Sequence, residues 1–372
     1  MSVTAQSKLS NIAVVNLPQS LVIPSPTIAP KDVSILDLRG RPLRDLRISV
    51  TDRCNFRCSY CMPKSVFDTS YQFLPQDKLL RFEEIVSVAK AARKLGLEKI
   101  RLTGGEPLLR RSIEHLIAML KAALPDVELT LTTNGSALKA KAAALKAAGL
   151  DRLTISLDSL NDATFRTMND VDFPVADVLR GIDAANAAGF IDTKINMVVK
   201  RGVNDADVLP MAWYFKNSGN TVRFIEFMDV GNTNGWNMAA VVPSAEIIRT
   251  INAEMPLVSL QPQYAGEVAQ RWQHVGCDTE IGVISSVTQA FCASCSRARI
   301  STDGKLYTCL FASAGYDLMP IVRAQPIDSM PKDALFRAIA SIWQQRNDNY
   351  SETRHAATTV QSPRVEMSFI GG

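Results

Sequence analysis

Three cysteines that lie close together in the chain have the spacing needed to bind a metal cluster. Cys54, Cys58 and Cys61 follow the pattern C-x3-C-x2-C. Three such thiolates can bind three irons of a cubic [4Fe–4S] cluster, which leaves the fourth iron without a protein ligand. An open metal position can chelate a small molecule and begin chemistry on it. The alternatives are a structural zinc site, which takes four protein ligands and finds three here, and ordinary core cysteines.

A second cysteine group repeats this arrangement far downstream. Cys292, Cys295 and Cys309 are spaced C-x2-C-x13-C, and Cys277 stands alone before them. The group predicts a second [4Fe–4S] cluster with an open iron; a zinc half-site is the alternative, with Cys277 left open as a fourth ligand. Arg297 and Arg299 alternate along a predicted strand beside this group, so both project to one side. Two guanidiniums on one face suit a polyphosphate.

Composition excludes several classes of protein. Of the 372 residues 47% are hydrophobic and 21% charged, with a net charge of +4, which indicates a globular chain and does not suggest nucleic-acid binding. No apolar run is long enough to span a bilayer, and residues 1–30 lack the pattern of a signal peptide. Residues 1–33 are instead predicted to be a flexible extension. Because the cysteines gather in two groups, we expect them to bind metal rather than to form disulfides. This use of cysteine also favours a cytoplasmic location.

Six short β-rich runs alternate with segments of helical periodicity. The predicted strands are 46–51, 99–103, 128–133, 152–157, 193–199 and 221–228. Phe82, Ile85, Val86 and Ala89 share one face of a predicted helix, and Gly149 is expected to end another. Six strand–helix units predict a parallel α/β sheet curled into a partial (β/α)6 barrel, with an open doubly wound sheet as the rival.

Polar residues gather where these strands end. The sequence 104–107 (GGEP) follows the second strand, 132–134 (TTN) ends the third and 156–158 (SLD) the fourth. The first cysteine group comes directly after the first strand. Because the carboxyl ends of parallel strands carry the site in such barrels, we expect these groups to meet at one face.

The alternation stops at about residue 235. We therefore expect a barrel domain over 34–235 and a C-terminal region over 236–372 that packs across the open side of the barrel. Within that region helices are predicted over 244–251 and 332–344, and a hairpin joins 297–301 to 305–309 around 302–304.

The cysteine spacing followed by GGEP one strand later resembles the radical S-adenosylmethionine (SAM) superfamily. Further motifs narrow the resemblance: 45–53 (DLRISVTDR), 101–103 (RLT), 223–229 (RFIEFMD), 292–309 and the terminal Gly371-Gly372. Together they resemble the GTP 3′,8-cyclase family of molybdenum cofactor biosynthesis, from about residue 34 to the end of the chain.

This resemblance implies a division of labour between the two cysteine groups. A first cluster on Cys54, Cys58 and Cys61 would cleave SAM to a 5′-deoxyadenosyl radical that abstracts hydrogen from C3′ of GTP. The second cluster would hold the guanine base, with Arg297 and Arg299 counted among the catalytic residues. The residues that match SAM contacts are Tyr60, Gly105, Ser156 and Met228. The residues that match GTP contacts are Arg47, Arg101, Thr132, Lys194, Arg297, Ala298 and Arg299.

The resemblance also implies partners. These are an external one-electron donor, a downstream cyclic pyranopterin monophosphate synthase that receives the product, and a second copy of the chain in a homodimer; neither nucleic acid nor membrane is expected. Arg223 matches a basic position whose partner stays unassigned. In the family, the Gly-Gly tail reaches into the active site.

Two other classes stay open at this point. One is a different radical SAM enzyme with an auxiliary cluster, such as a peptide maturase, which would have no need for Arg297 and Arg299 beside that cluster. The other is a non-catalytic iron–sulfur or zinc protein.

Overall fold

Six parallel strands form the centre of the fold, as predicted. The computed structural model describes residues 19–25, 35–324, 333–354 and 364–371. The central strands are β2 (Asp45–Ser49), β3 (Lys99–Thr103), β4 (Glu128–Thr133), β5 (Arg152–Ser156), β6 (Lys194–Val199) and β7 (Thr221–Glu226). Each pairs in parallel with the next, and the sheet curls into a half-barrel. The predicted partial barrel is thus confirmed, with strand ends that differ from the predicted ones by at most two residues.

Helices cover the outer face of this sheet. They are α1 (Phe82–Arg93), α2 (Ile113–Ala123), α3 (Leu138–Ala147), α4 (Asp162–Asn169), α5 (Val175–Ala187) and α6 (Val208–Phe215). On α1 the predicted face is the packed one, since Ile85 and Ala89 are buried. Gly149 follows the end of α3 at a φ of +98°, a conformation that favours glycine. No helix of the described residues is long and apolar enough to cross a membrane.

The C-terminal region adds strands to both edges of the half-barrel. Its elements are α7 (Ser244–Glu254), β8 (Leu257–Ser259), β9 (Gln270–His274), β10 (Glu280–Ile284), β11 (Arg297–Ile300), β12 (Lys305–Tyr307), β13 (Ala314–Asp317), α8 (Met319–Val322), α9 (Ala334–Gln344), α10 (Tyr350–Thr353) and α11 (Met367–Ile370). β10 pairs in parallel with β7, whereas β11 pairs in parallel with β2. The predicted hairpin is present as β11 and β12. The region therefore extends the barrel wall at both edges, which the sequence did not predict.

A short strand lies within the segment predicted to be flexible. β1 (Gln19–Leu21) pairs in parallel with β13, and the Ser341 hydroxyl donates to the carbonyls of Pro24 and Ser25 at 2.8 and 2.9 Å. The prediction of a flexible extension is therefore wrong for residues 19–25, because a distant strand edge supplies the missing backbone partners. Residues 1–18 and 26–33 lie outside the described residues.

Alternation along the strands separates the core from the barrel interior. Leu46 and Ile48 are buried in the core outside the sheet, whereas Arg47 between them lines the interior. On the neighbouring strand Arg101 is in register with Arg47 and lines the same interior, while Ile100 belongs to the core. Because successive side chains of a strand point to opposite faces, charged residues in these strands occupy the interior without disrupting the core.

Candidate active site

One cavity inside the half-barrel contacts both cysteine groups. Its lining includes Cys54, Cys58, Cys61, Cys292, Cys295 and Cys309. The first group lies on the loop after β2, and the second lies on either side of the β11–β12 hairpin. Because β11 pairs in parallel with β2, the second group lies at the amino ends of these strands and the first group lies at the carboxyl end of β2. The two groups therefore border opposite ends of the cavity. The predicted convergence of the strand-end motifs on one face is found, since Gly105, Thr133, Asn134 and Ser156 line this cavity as well.

Neutral groups donate to the sulfur of Cys54 in the first cysteine group. The backbone N–H of Phe56 donates to the Cys54 sulfur at 3.4 Å, and the Asn134 side-chain amide lies 3.8 Å from that sulfur. Burial, followed by the charge of Glu106, raises the pKa of Cys54 to about 12, and burial raises the pKa values of Cys58 and Cys61 as well. Thiols in such a setting ionise readily only when a cation binds them, which fits three ligands of a metal cluster.

The glycines of the 104–107 turn serve backbone packing. Gly104 has a φ of +139°, and a Cβ there would lie 2.4 Å from the carbonyl oxygen of Thr51. A Cβ on Gly105 would lie 2.3 Å from the carbonyl oxygen of Arg53. The N–H of Gly105 donates to that Thr51 carbonyl at 2.8 Å. The turn thus lies directly against the chain that leads into the cysteine loop, and any side chain at either position would push the two apart.

Glu106 of the same turn is buried and already hydrogen-bonded. Its carboxylate accepts from the N–H of Leu108, the hydroxyl of Thr133 and the N–H of Asn134 at 3.0, 2.8 and 2.7 Å. Burial raises its pKa to about 7, although these three hydrogen bonds oppose the shift. The carboxylate therefore ties the ends of β3 and β4 together while it still lines the cavity.

The four residues predicted to contact SAM all line the cavity. They are Tyr60, Gly105, Ser156 and Met228. The Tyr60 hydroxyl donates to Asp158 at 2.8 Å, and the other oxygen of Asp158 accepts from the N–H of Val198 at 2.9 Å. Burial raises the pKa of Asp158 to about 6. Asp158 also lines the cavity and fixes the Tyr60 ring, a role that the sequence did not assign.

Positive charge is concentrated between the two cysteine groups. Arg47, Arg101, Arg297 and Arg299 line the cavity together with Thr132. The Nε atoms of Arg47 and Arg101 are buried and have no hydrogen-bond partner among the described residues. Burial, and then repulsion from Arg299 and Arg101, lowers the pKa of Arg47; burial and Arg297 lower that of Arg299 to about 10. Buried cations with unused donors call for an anionic ligand.

Two further basic residues join this set. Arg223 lines the cavity, and its Nε donates to the side-chain oxygen of Asn196 at 2.9 Å. The sequence had assigned no partner to this residue. Burial lowers its pKa to about 9. Lys99 also lines the cavity and was missed. The signal for Lys99 was present in the sequence, because it lies two residues before Arg101 on one strand and so shares its face.

Two predicted GTP contacts lie elsewhere. Lys194 is outside the lining of this cavity; it pairs with Asp192 at 2.5 Å and lines a second cavity at the amino ends of the strands. That second cavity shares Lys99, Arg101 and Arg223 with the first, so Lys194 lies beyond them. Ala298 is fully buried in the core on the other face of β11. The Ala298 side chain is therefore not placed to contact a ligand in the cavity.

The second cysteine group has charged surroundings. Although burial opposes ionisation, the charges of Arg297 and Arg346 lower the pKa of Cys295 to about 7. Burial raises the pKa of Cys309 to about 12, and the N–H of Phe311 lies 3.5 Å from its sulfur. Cys277 lies at the β9–β10 turn, where its carbonyl accepts from Gln273, and it does not line the cavity. The structure therefore gives no support to Cys277 as a fourth ligand of this group.

The cysteines form no single-ion site within the described ranges. All seven cysteines are free, and no three Cys, His, Asp or Glu side chains of the described ranges converge on one ion position. A cubic cluster requires one thiolate for each of three separate irons.

The C-terminal tail enters the same cavity. Met367 on α11 lines it, and the carbonyl of Gly371 accepts from Arg299. Upstream, Arg364 pairs with Asp229 at 2.9 Å, and Glu366 accepts from the N–H of Asn232 at 3.0 Å. The tail is thus fixed to the loop after β7. Gly372 lies outside the described residues.

Two family models match this chain. Residues 48–212 match the model of the radical SAM superfamily, and residues 220–352 match the model described as Molybdenum Cofactor Synthesis C. The fold is similar to that of Streptococcus suis SuiB bound to S-adenosylmethionine, with a TM-score of 0.54 and 14% identity over 86% of this chain and 72% of that one. At that identity the likeness concerns the fold alone. The half-barrel with its cysteine loop is that of a radical SAM protein.

Curated relatives identify the family more narrowly. A GTP 3′,8-cyclase of Acidothermus cellulolyticus is 50% identical over 91% of this chain and 99% of the relative. A GTP 3′,8-cyclase of Staphylococcus epidermidis is 45% identical over the same shares of both chains. This chain belongs to the GTP 3′,8-cyclase family.

Proposed function

We propose that this protein is a radical SAM GTP 3′,8-cyclase that makes (8S)-3′,8-cyclo-7,8-dihydroguanosine 5′-triphosphate, the first step of molybdenum cofactor biosynthesis. The observation that carries the proposal is one cavity with a cysteine group at each side and arginines between them. The names of the relatives support GTP as the substrate. The positive charge in the cavity also suits a triphosphate.

The barrel domain, over 34–235, holds the radical-forming half of the site. Cys54, Cys58 and Cys61 would bind the first [4Fe–4S] cluster and leave one iron for SAM. When bound, this cluster and SAM supply a 5′-deoxyadenosyl radical that abstracts hydrogen from C3′ of GTP. Tyr60, oriented by Asp158, and the backbone of Gly105 would contact SAM together with Ser156 and Met228, since all four residues line the cavity.

The C-terminal region, over 236–372, completes the substrate half. Cys292, Cys295 and Cys309 would bind the second [4Fe–4S] cluster, which would supply an iron without a protein ligand as a binding position for the guanine base. Arg47 and Arg101 offer unused Nε donors to the triphosphate from the barrel side, while Arg297 and Arg299 approach from β11. Thr132 accepts from Arg101 at 3.2 Å and so orients that guanidinium. Lys194 would reach only a ligand that extends toward the second cavity.

The remaining parts of the proposal follow from membership of the family. They are an external one-electron donor, transfer of the product to a cyclic pyranopterin monophosphate synthase, a homodimer and a cytoplasmic location.

The decisive experiment is anaerobic incubation of reconstituted protein with GTP, SAM and a reductant. We expect 5′-deoxyadenosine to form together with a cyclised guanosine triphosphate product, and to fall to the background level when ATP replaces GTP. Formation of 5′-deoxyadenosine that ignores the nucleotide would reject GTP as substrate and favour another radical SAM reaction. Zinc in place of iron and sulfide would reject the enzyme altogether.

A further inference from the structure

Three buried charged residues lie beside the second cysteine group and have no part in the mechanism above, although Arg41 and Arg346 also line the cavity. Asp37, Arg41 and Arg346 are 6%, 3% and 4% exposed. They come from opposite ends of the chain and meet where the loop after α9 passes the segment that precedes β2. A buried charge lowers the stability of the fold unless it is well paired. The partners of these three residues therefore indicate which segments they position.

Arg346 contacts two of the three cysteine segments. Its Nη1 donates to the carbonyl of Cys295 at 2.7 Å, and its Nη2 donates to the Cys295 sulfur at 3.3 Å. Its Nε donates to the carbonyl of Thr308, next to Cys309, at 3.1 Å. The planar guanidinium thus links both sides of the β11–β12 hairpin, which a single-point lysine ammonium could not do in the same way.

Arg41 contacts the third segment, and Asp37 joins the two arginines. Arg41 Nη1 donates to the carbonyl of Cys292 at 2.7 Å. One carboxylate oxygen of Asp37 accepts from Arg41 Nε at 2.6 Å and from Arg346 Nη1 at 3.2 Å. Trp343 supports both, since its Nε1 donates to the carbonyl of Arg41 at 2.9 Å and its ring lies 4.6 Å from the Arg346 guanidinium carbon.

The contact to sulfur distinguishes the second group from the first. Cys54 is approached by a backbone N–H and by the neutral amide of Asn134, at 3.4 and 3.8 Å. Cys295 is approached by a cation at 3.3 Å. Hydrogen bonds to ligand sulfurs are among the factors that set the potential of an iron–sulfur cluster, and a charged donor makes the stronger bond. A positive donor stabilises the more negative, reduced state.

We propose that Arg346 is a positioning residue for the second cluster: with Arg41 and Asp37 it holds the three cysteine segments in register, and its N–H···S bond raises the reduction potential of that cluster. This inference depends on the proposed second [4Fe–4S] cluster. It assigns Arg346 no contact with GTP or SAM.

The test uses the full-length, anaerobically reconstituted protein and two substitutions. Arg346→Gln removes the positive charge. Arg346→Lys keeps the charge but lacks the planar guanidinium with its several N–H donors. Arg323→Gln is the matched control, because Arg323 pairs with Glu84 and donates to the carbonyls of Asp77 and Leu79 but contacts no cysteine. The readouts are iron and sulfide per chain and a redox titration followed by electron paramagnetic resonance, in which the two clusters are resolved.

In Arg346→Gln we expect the second cluster to titrate at a lower potential, by a tenfold or larger change in its reduction equilibrium, which is 59 mV for one electron. Arg346→Lys should show a smaller shift in the same direction. Selective loss of iron from the second cysteine group in Arg346→Gln would also support the positioning role, provided that the first cluster still cleaves SAM.

The inference would be overturned if the second cluster of Arg346→Gln kept the iron content and the reduction potential of the wild-type protein. Equal loss of iron from both clusters would also overturn it, because that result indicates general unfolding. A wild-type protein that takes up only the first cluster would instead reject the second cluster of the proposed function. The two failures are therefore distinguishable.

Discussion

Single residues give the two cysteine groups different chemistry. Burial raises the pKa values of Cys54, Cys58 and Cys61 and so favours their protonated thiol form in the absence of a metal. At the second group, Arg297 and Arg346 outweigh burial and bring the pKa of Cys295 to about 7. Since the thiolate is the reactive form, the groups should differ in reactivity before any cluster is assembled.

We predict that Cys295 is the first cavity cysteine to be alkylated in cluster-free protein at pH 8. Its lowered pKa makes it mostly thiolate there, and its rate should exceed that of Cys54 or Cys309 by more than about tenfold. Below pH about 7 the rate should fall as the thiol takes up its proton. Peptide mapping after a short exposure to iodoacetamide measures this, with urea-unfolded protein as the control. Equal labelling of all three cysteines in the folded protein would contradict it.

A second prediction concerns Arg47, whose buried Nε has no partner among the described residues. Arg47→Gln should weaken GTP binding to the reconstituted protein by roughly 10- to 100-fold, as expected for loss of a charged hydrogen bond of about 1.5–3 kcal/mol. The affinity for guanosine, which lacks phosphates, should fall much less in this variant. Arg39→Gln is the control, because Arg39 forms a partly exposed pair with Glu352. An unchanged dissociation constant for GTP would show that Arg47 does not contact the triphosphate.

Among the elements, the C-terminal tail has the most direct connection to the site. It is fixed by Asp229 and by the loop after β7, and its Gly371 carbonyl accepts from Arg299. Gly371 has a φ of +77°, and a Cβ there would lie 2.1 Å from the Cγ2 atom of Thr103. The position therefore tolerates only glycine if the tail is to keep this path.

We predict that Gly371→Ala displaces the tail and lowers product formation on the order of 100-fold, the effect of misplacing a group by about 1 Å. Both clusters should retain their iron. Gly276→Ala is the matched control, since Gly276 also has a positive φ, of +84°, but has open space around it. In the family, the tail reaches into the active site, so deletion of Gly371 and Gly372 should also lower product formation and leave both clusters in place. Full activity of the substituted or the truncated protein would reject this role.

At the level of the whole molecule, extension of the central sheet at both edges brings the two halves of the site together. β10 and β11 pair with opposite edges of the half-barrel, so the C-terminal region contributes to both walls. The first cysteine group and the second then line one cavity, although more than half of the chain separates them. The reaction that we propose needs this meeting, because the radical and its target must be held in contact.

We predict that the two cysteine groups can be disabled separately. Replacing Cys54, Cys58 and Cys61 by alanine should abolish SAM cleavage and leave the iron of the second cluster. Replacing Cys292, Cys295 and Cys309 should leave some SAM cleavage but remove its dependence on GTP. Iron analysis and 5′-deoxyadenosine assays on both variants measure this. GTP-dependent cleavage in the second variant would mean that the second group does not hold the substrate.

Local patterns were sufficient to predict the central barrel and to select the six cysteines that line the cavity. Period-two alternation and turn residues placed the six strands within two residues of their ends, and the β11–β12 hairpin was also found from its turn. The cysteine spacings indicated two cluster sites because cluster ligands close in sequence leave a direct signature. Family motifs added the cavity arginines Arg47, Arg101, Arg297 and Arg299.

Contacts between distant segments decided the rest. The pairing of β11 with β2, the strand at Gln19–Leu21 and the group formed by Asp37, Arg41 and Arg346 join residues hundreds of positions apart. Contacts between separate segments also place Lys194 at the second cavity and the turn glycines against the backbone that leads into the cysteine loop. Local periodicity carries no signal for such contacts, since they depend on which edges and side chains the folded sheet brings together.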